Sequence, residues 1–295
     1  MINREMRKLR VQDKIIENAA KPLLNSPDVV STGDFTFTKI MPRNRVGDSG
    51  SLLLAKRKGK RSEQYLVKHE YCDCACNEFV YTKLAQAMGY KMPDVLLFTI
   101  APEEKRKYFK TEYIIGAKYL DIIKHDPSFS EIREEALNWE QYFSFWALYV
   151  ITGEGDVCET PLASDGFIYR VDTTDAFPTC EHNLYQAGVN IKVDDITPKE
   201  FYKFYFMNMD IKKQWNVTSI DNWLKKFIEK YGNECIKPFL EPFERIQSIS
   251  PTYIDEFLNT LCYFYPDFIG DFFVKYIREI KVLSREYLKS CQYNI

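Results

Sequence analysis

Alternation between apolar and polar positions is the first regular signal along this chain. Residues 34–40 (DFTFTKI) alternate as a half-buried strand does, and 51–55 (SLLLA) and 64–69 (QYLVKH) continue the pattern. The polar run 57–63 (RKGKRSE) between the last two predicts a hairpin connection. At 77–88 (NEFVYTKLAQAM) the period changes: Phe79, Val80, Leu84 and Met88 share one helical face, and Gly89 stands where a helix terminator is expected. Two further strands are predicted at 93–100 and 107–115. The first 115 residues therefore read as a five-stranded antiparallel sheet with one helix inserted after the third strand. Ahead of it, 4–24 is charged, with Leu9, Ile15, Ile16, Leu23 and Leu24 at loosely helical spacing, which predicts a peripheral arm.

From Ile122 onward helical spacing dominates. An apolar helix is predicted over 137–151, followed by the loop 152–165 (TGEGDVCETPLASD) and a short strand, 166–171, that ends at Asp172. Helices are then expected over 197–210, 218–231, 233–247, 251–263 and 266–290, punctuated by Gly, Pro and Ser-Pro. The resulting division is an N-terminal helical arm (1–33), a β-rich lobe (34–116) and a larger helical lobe (117–295). The fold class is α+β.

Composition narrows the function classes. Forty Lys and Arg against 42 Asp and Glu leave a net charge of −2, which gives no whole-molecule drive toward nucleic acid or an anionic membrane. The longest apolar run, 142–151, is half the length of a membrane span. The N-terminus has charge without a following apolar stretch, so no signal peptide is expected and the reading is cytoplasmic. The eight cysteines are accordingly expected to stay reduced. Three of them form Cys72-Asp-Cys74-Ala-Cys76, which lacks the second ligand pair of a zinc site and is expected to supply small side chains beside a helix start.

Several residues suit phosphoryl transfer, which needs a loop over phosphates, a lysine on them, a cation ligand and a group that orients the acceptor. Lys68 sits in a strand with apolar alternate neighbours, which would deliver its ammonium into a cleft at fixed height. Glu78, near the start of the next helix, is placed to hold that lysine extended; otherwise it is an acid in a first helical turn. Gly47, Ser49 and Gly50 lie in the loop 42–51 (PRNRVGDSGS), with Arg43 and Arg45 nearby, where backbone N–H groups meet phosphates or simply form a turn. Asp172, at the end of an apolar strand, presents a hard oxygen ligand for Mg²⁺, with Asp175 the competing choice. Glu154 and Asp156 are rival groups to orient an incoming hydroxyl. His69, His125 and His182 are scattered without a nucleophile partner, which speaks against Ser–His or Cys–His catalysis.

These motifs, in this order, resemble the HipA-like kinases. Tyr65-Leu-Val-Lys68, then Asn77-Glu78-Phe, Leu84-Ala-x-x-Met88-Gly-Tyr and Met92-Pro-Asp-Val-Leu-Leu-Phe98 are similar to that family's lysine strand, helix start and following strand. Gly166-Phe-Ile-Tyr-Arg-Val-Asp172-Thr-Thr-Asp-Ala-Phe177 resembles its metal-binding strand. The likeness covers roughly 34–177 and extends to small HipA-related proteins and the CtkA-type bacterial Ser/Thr kinase. It implies a two-lobed protein-kinase-like fold, ATP and Mg²⁺ as ligands, a protein Ser/Thr hydroxyl as acceptor and an adenine hinge near Glu112 and Ile114. The chain departs from the family at the catalytic loop: the Asp-Arg-x-x-x-Asn pattern is replaced by a stretch holding Glu154, Asp156, Glu159 and Thr160. Glu159 or Thr160 would stand in for the missing Asn ligand, and Thr174 replaces the glycine after the metal aspartate. Two other readings remain beside the kinase: a pseudokinase that binds nucleotide without turnover, and a small-molecule kinase using Asp194, Asp195 and Glu200.

Overall fold

Six short strands build the N-terminal sheet: β1 (Val29–Ser31), β2 (Phe35–Lys39), β3 (Leu53–Arg57), β4 (Gln64–His69), β5 (Val95–Thr99) and β6 (Ile114–Lys118). They are ordered β1-β5-β6-β4-β3-β2, antiparallel except for the parallel pair β1–β5. The computed structural model describes residues 28–40, 52–60, 62–69, 72–101, 114–154, 158–174, 176–177, 220–255, 267–291 and 293.

The two edge strands, β1 and β2, are joined by only a 3-10 turn, Thr32–Asp34. Five strand spacings in a flat sheet would separate them by about 24 Å, whereas four Cα steps reach at most about 14 Å. The sheet must therefore curl. It does so around its own apolar face: Phe35 on β2 and Phe98 on β5 have ring centroids 5.1 Å apart, where flat spacing would give about 19 Å. Phe37, Leu53, Ala55, Tyr65, Val67, Leu96 and Ile114 complete this inner core. Gly116 on β6 is required by that closeness, because a Cβ there would lie 2.7 Å from the Phe98 ring.

The opposite face of the sheet packs on α1 (Cys72–Ala87), through Val95, Leu97 and Ile115. Ala75, Cys76, Phe79, Val80, Tyr81, Leu84 and Ala85 are all buried, so α1 is covered on nearly every side. It sits in one continuous core with the helical lobe. Burying a side chain such as Phe79 contributes roughly 2–3 kcal/mol. The C-terminal end of α1 is tied to the helical lobe by Arg245, which donates to the Met88 carbonyl at 2.7 Å, and by Tyr253, which donates to the Lys83 carbonyl at 3.2 Å.

The helical lobe contains α2 (Phe129–Glu135), α3 (Gln141–Thr152), α4 (Ile220–Tyr231), α5 (Ile236–Ser248) and α6 (Asp267–Ser290), with a small sheet of β7 (Ile122–Lys124) and β8 (Leu162–Ala163). Trp146, Trp223, Phe227 and Phe143 form the aromatic centre between α3 and α4. The structure is thus α+β with a β-rich lobe and a helical lobe, as the pattern predicts.

Four boundaries differ from expectation. The sheet has six strands rather than five, because Val29–Ser31 adds a parallel edge. The inserted helix starts at Cys72 rather than 77, which puts Glu78 beyond the first turn and removes the helix-end reading of its charge. The strand expected to end at 115 continues to Lys118, so a division at 116 falls inside a paired strand, while 107–113 lie outside the described residues. The strand expected at 166–171 is an extended segment with one bridge, Ile168 to Leu162. Of the helical arm expected over 1–33, Val29–Ser31 is a strand and Thr32–Asp34 a 3-10 turn, and 1–27 lie outside the described residues, as do the loop 42–51 and the helix predicted at 197–210.

Candidate functional site

Lys68 is presented by β4 opposite Ile115 of β6. Cross-strand neighbours share a face, and Ile115 belongs to the core on the α1 side. The strand alternation that buries Tyr65 and Val67 inside the curled sheet therefore turns Lys68 outward, toward α1 and the helical lobe. There it meets two carboxylates. Its Nζ donates to Asp172 Oδ1 at 2.8 Å and stands 3.6 Å from Glu78 Oε2. The three side chains differ in access: 14% exposed for Lys68, 6% for Glu78 and 44% for Asp172. The cluster is closed at the helix and open at the aspartate.

The two acids are shifted in opposite directions. Burial pushes the Glu78 carboxyl up, and nearby Lys68 only partly offsets this. The Lys68 ammonium holds Asp172 below the ordinary carboxylate range, against the smaller effect of burial.

Asp172 reaches Lys68 from a left-handed backbone, φ 55, a conformation that costs a non-glycine residue roughly 1–2 kcal/mol. The surroundings hold it there. Thr174 Oγ1 donates to Asp172 Oδ1 at 3.3 Å, and the Thr174 carbonyl accepts from Asn77 Nδ2 of α1 at 3.0 Å. Farther along, Phe177 donates its N–H to the Thr152 carbonyl at 2.7 Å and packs edge-on against Phe273 and Tyr276 of α6. On the approach side, Asn138 donates to the Ile168 carbonyl and accepts from the Ile168 N–H, at 3.0 and 2.8 Å. Both contacts to Asp172 fall on Oδ1, so among the described residues Oδ2 remains available to a ligand.

A second charged pair lies just behind. α3 ends at Gly153, φ 63, whose left-handed turn carries the chain into Glu154. Glu154 and Arg170 form an ion pair with both side chains 0% exposed. Arg170 also donates to the carbonyls of Val171 and, at 3.3 Å, Glu159. Burial opposes the charge on Arg170 more than any one neighbour favours it, but the Glu154 carboxylate together with Cys158 and Tyr81 more than offsets this and raises the guanidinium pKa.

The predicted site residues thus divide. Lys68, Glu78 and Asp172 are brought together from a strand, a helix and a loop 104 residues away from the lysine. Glu154 is buried at 0% exposure in its ion pair with Arg170. Glu159 has an exposed side chain, and its carbonyl is what Arg170 holds. Ile114 lies in the inner core of the sheet, 2% exposed, so its side chain does not face the cleft. Gly47, Ser49, Gly50, Glu112, Asp156, Asp175, Asp194, Asp195 and Glu200 lie outside the described residues. The residue that sequence reasoning missed is Arg170. The available signal was Ile168 two positions earlier: in an extended segment the two share a face, and that face is buried.

No protein-family model and no curated protein matches the sequence. Among solved structures, the proinflammatory kinase CtkA of Helicobacter pylori aligns with a TM-score of 0.46 and 14% identity, over 85% of this chain and 96% of that one. HipA of Shewanella oneidensis MR-1, solved with HipB and operator DNA, aligns with a TM-score of 0.45 and 13% identity, over 94% of this chain and 71% of that one. The chain is similar to both over most of its length. The two-lobed layout places a strand lysine between a helix glutamate and a loop aspartate.

Proposed function

We propose that the cleft between the lobes binds ATP with Mg²⁺ and transfers the γ-phosphoryl group to a protein Ser or Thr hydroxyl. The observation that carries this reading is the convergence of Lys68, Glu78 and Asp172 at 3.6 and 2.8 Å from the lysine nitrogen. Lys68 has three N–H donors and would turn them to phosphate oxygens, while Glu78 keeps the side chain extended. Asp172, released from Lys68, would offer its carboxylate to the cation. A bound Mg²⁺ supplies charge neutralisation on the phosphate oxygens. Among the described residues no group of three or more His, Cys, Asp and Glu is gathered for a metal. Gly47, Ser49 and Gly50 are assigned to the loop over the phosphates, and Asp156 to the acceptor hydroxyl.

A second reading, nucleotide binding without turnover, is favoured by the Glu154–Arg170 pair, which removes one of the two acids able to serve the acceptor. Incubation with γ-labelled ATP, Mg²⁺ and a protein acceptor separates the readings. Label transferred by the wild type and lost in Asp172→Ala supports the kinase. Nucleotide binding with no transfer supports the second reading, and no nucleotide binding overturns both.

A further inference from the structure

One guanidinium touches three separate places around the site. Arg170 pairs with the carboxylate of Glu154, the residue that follows the end of α3, and donates to the carbonyls of Glu159 and Val171. The Val171 carbonyl belongs to the peptide unit directly ahead of Asp172. Its orientation, set by ψ of Val171 and φ of Asp172, decides where the aspartate carboxylate points. That φ is the left-handed 55°, and the carboxylate it produces lies 2.8 Å from Lys68. A buried ion pair is weak support for stability, since desolvation offsets much of the attraction, so what it organises is the better guide to its role. A lysine would neutralise Glu154 equally well; only a planar fork serves a carboxylate and two carbonyls together.

We propose that Arg170 is a positioning residue for Asp172: it fixes the peptide plane that aims this carboxylate at Lys68 and ties it to both ends of the loop from Glu154 to Glu159. The purpose of that aim rests on the nucleotide and cation reading above, but its test does not.

The test is a ligand-free double-mutant cycle between positions 170 and 172, read as melting temperature. Asp172→Asn in the wild-type background should lower Tm by about 2–4 °C. In an Arg170→Lys background, which keeps the charge and loses the fork, that drop should shrink by at least half. Equal drops in both backgrounds would mean that Arg170 only fills the core, and would overturn the proposal. If Arg170→Lys does not fold, the double variant Arg170→Met/Glu154→Met, which leaves no unpaired buried charge, takes its place in the same cycle. A second arm measures the Mg²⁺ concentration needed for the ATP-induced rise in Tm. Loss of an outer support should raise that midpoint roughly tenfold, while the cation-free ATP response stays unchanged; an unchanged midpoint argues against the proposal. A wild type with no response to ATP defeats the nucleotide reading, and the ligand-free cycle still decides the role of Arg170.

Discussion

Two charged clusters stand side by side in this molecule, and they are built to opposite designs. Arg170 and Glu154 form an ion pair sealed at 0% exposure, with Arg170 anchored to backbone carbonyls. Lys68 faces two carboxylates, one buried and one 44% exposed. With both acids ionised, the second cluster carries surplus negative charge and an open side; the first is neutral and closed. The contrast separates the two as candidates for a site. A pair sealed from solvent offers no access to a ligand, whereas a cluster of two acids on one lysine with an accessible carboxylate has both a charge to complete and a way in.

The largest expected effect breaks the sealed cluster. Arg170→Met leaves Glu154 buried without its partner and should cost about 3–5 kcal/mol, seen as a steep fall in the denaturant midpoint. Replacing both residues with Met should recover most of it. Equal instability of the single and double variants would contradict the account of this pair.

Next comes Lys68→Met, which leaves two carboxylates facing each other. A loss of about 1–3 kcal/mol is expected from the stranded buried acid. Glu78→Gln in the same background should restore part of it.

Smaller effects distinguish the two acids of the open cluster by pH. Asp172 has a folded pKa below its unfolded value of about 3.9, so its stabilisation is present above that value. It is lost as pH falls through the lowered folded value. Asp172→Asn should therefore flatten the acid limb of the Tm–pH curve, modestly, because the group is half exposed to water. Glu78 has the opposite sign. Its folded pKa lies above the unfolded value of about 4.3, so the native state holds the extra proton between the two, and stability declines as pH rises through that window. Glu78→Gln should remove this decline. Matching pH profiles for the two variants would erase the distinction between the open and closed sides of the cluster.

Much of the open cluster was legible in the sequence because each member sits in a strong local pattern. Alternation in Tyr65-Leu-Val-Lys68 fixed the face of the lysine, and the apolar run before Asp172 marked where a carboxylate would emerge. The sealed cluster was not legible. Glu154 reads as one of several loop acids, and Arg170 as a polar residue alternating in a strand; their pairing depends on tertiary packing. The curl of the sheet was hidden for a similar reason: Val29–Ser31 is three residues long, too short for a period to show, and its partner β5 lies far along the chain. The early start of α1 was masked by Cys72-Asp-Cys-Ala-Cys76, which has modest helix propensity.

The central claim is that Lys68 and Asp172 form the two sides of a nucleotide–cation site. Calorimetric titration of ATP, with and without Mg²⁺, into the wild type, Lys68→Met and Asp172→Asn tests it most directly. The account predicts that the wild type binds ATP more tightly with Mg²⁺, that Lys68→Met loses binding in both conditions, and that Asp172→Asn loses only the Mg²⁺-dependent gain. Absence of binding to the wild type, or binding that Lys68→Met leaves intact, would contradict it.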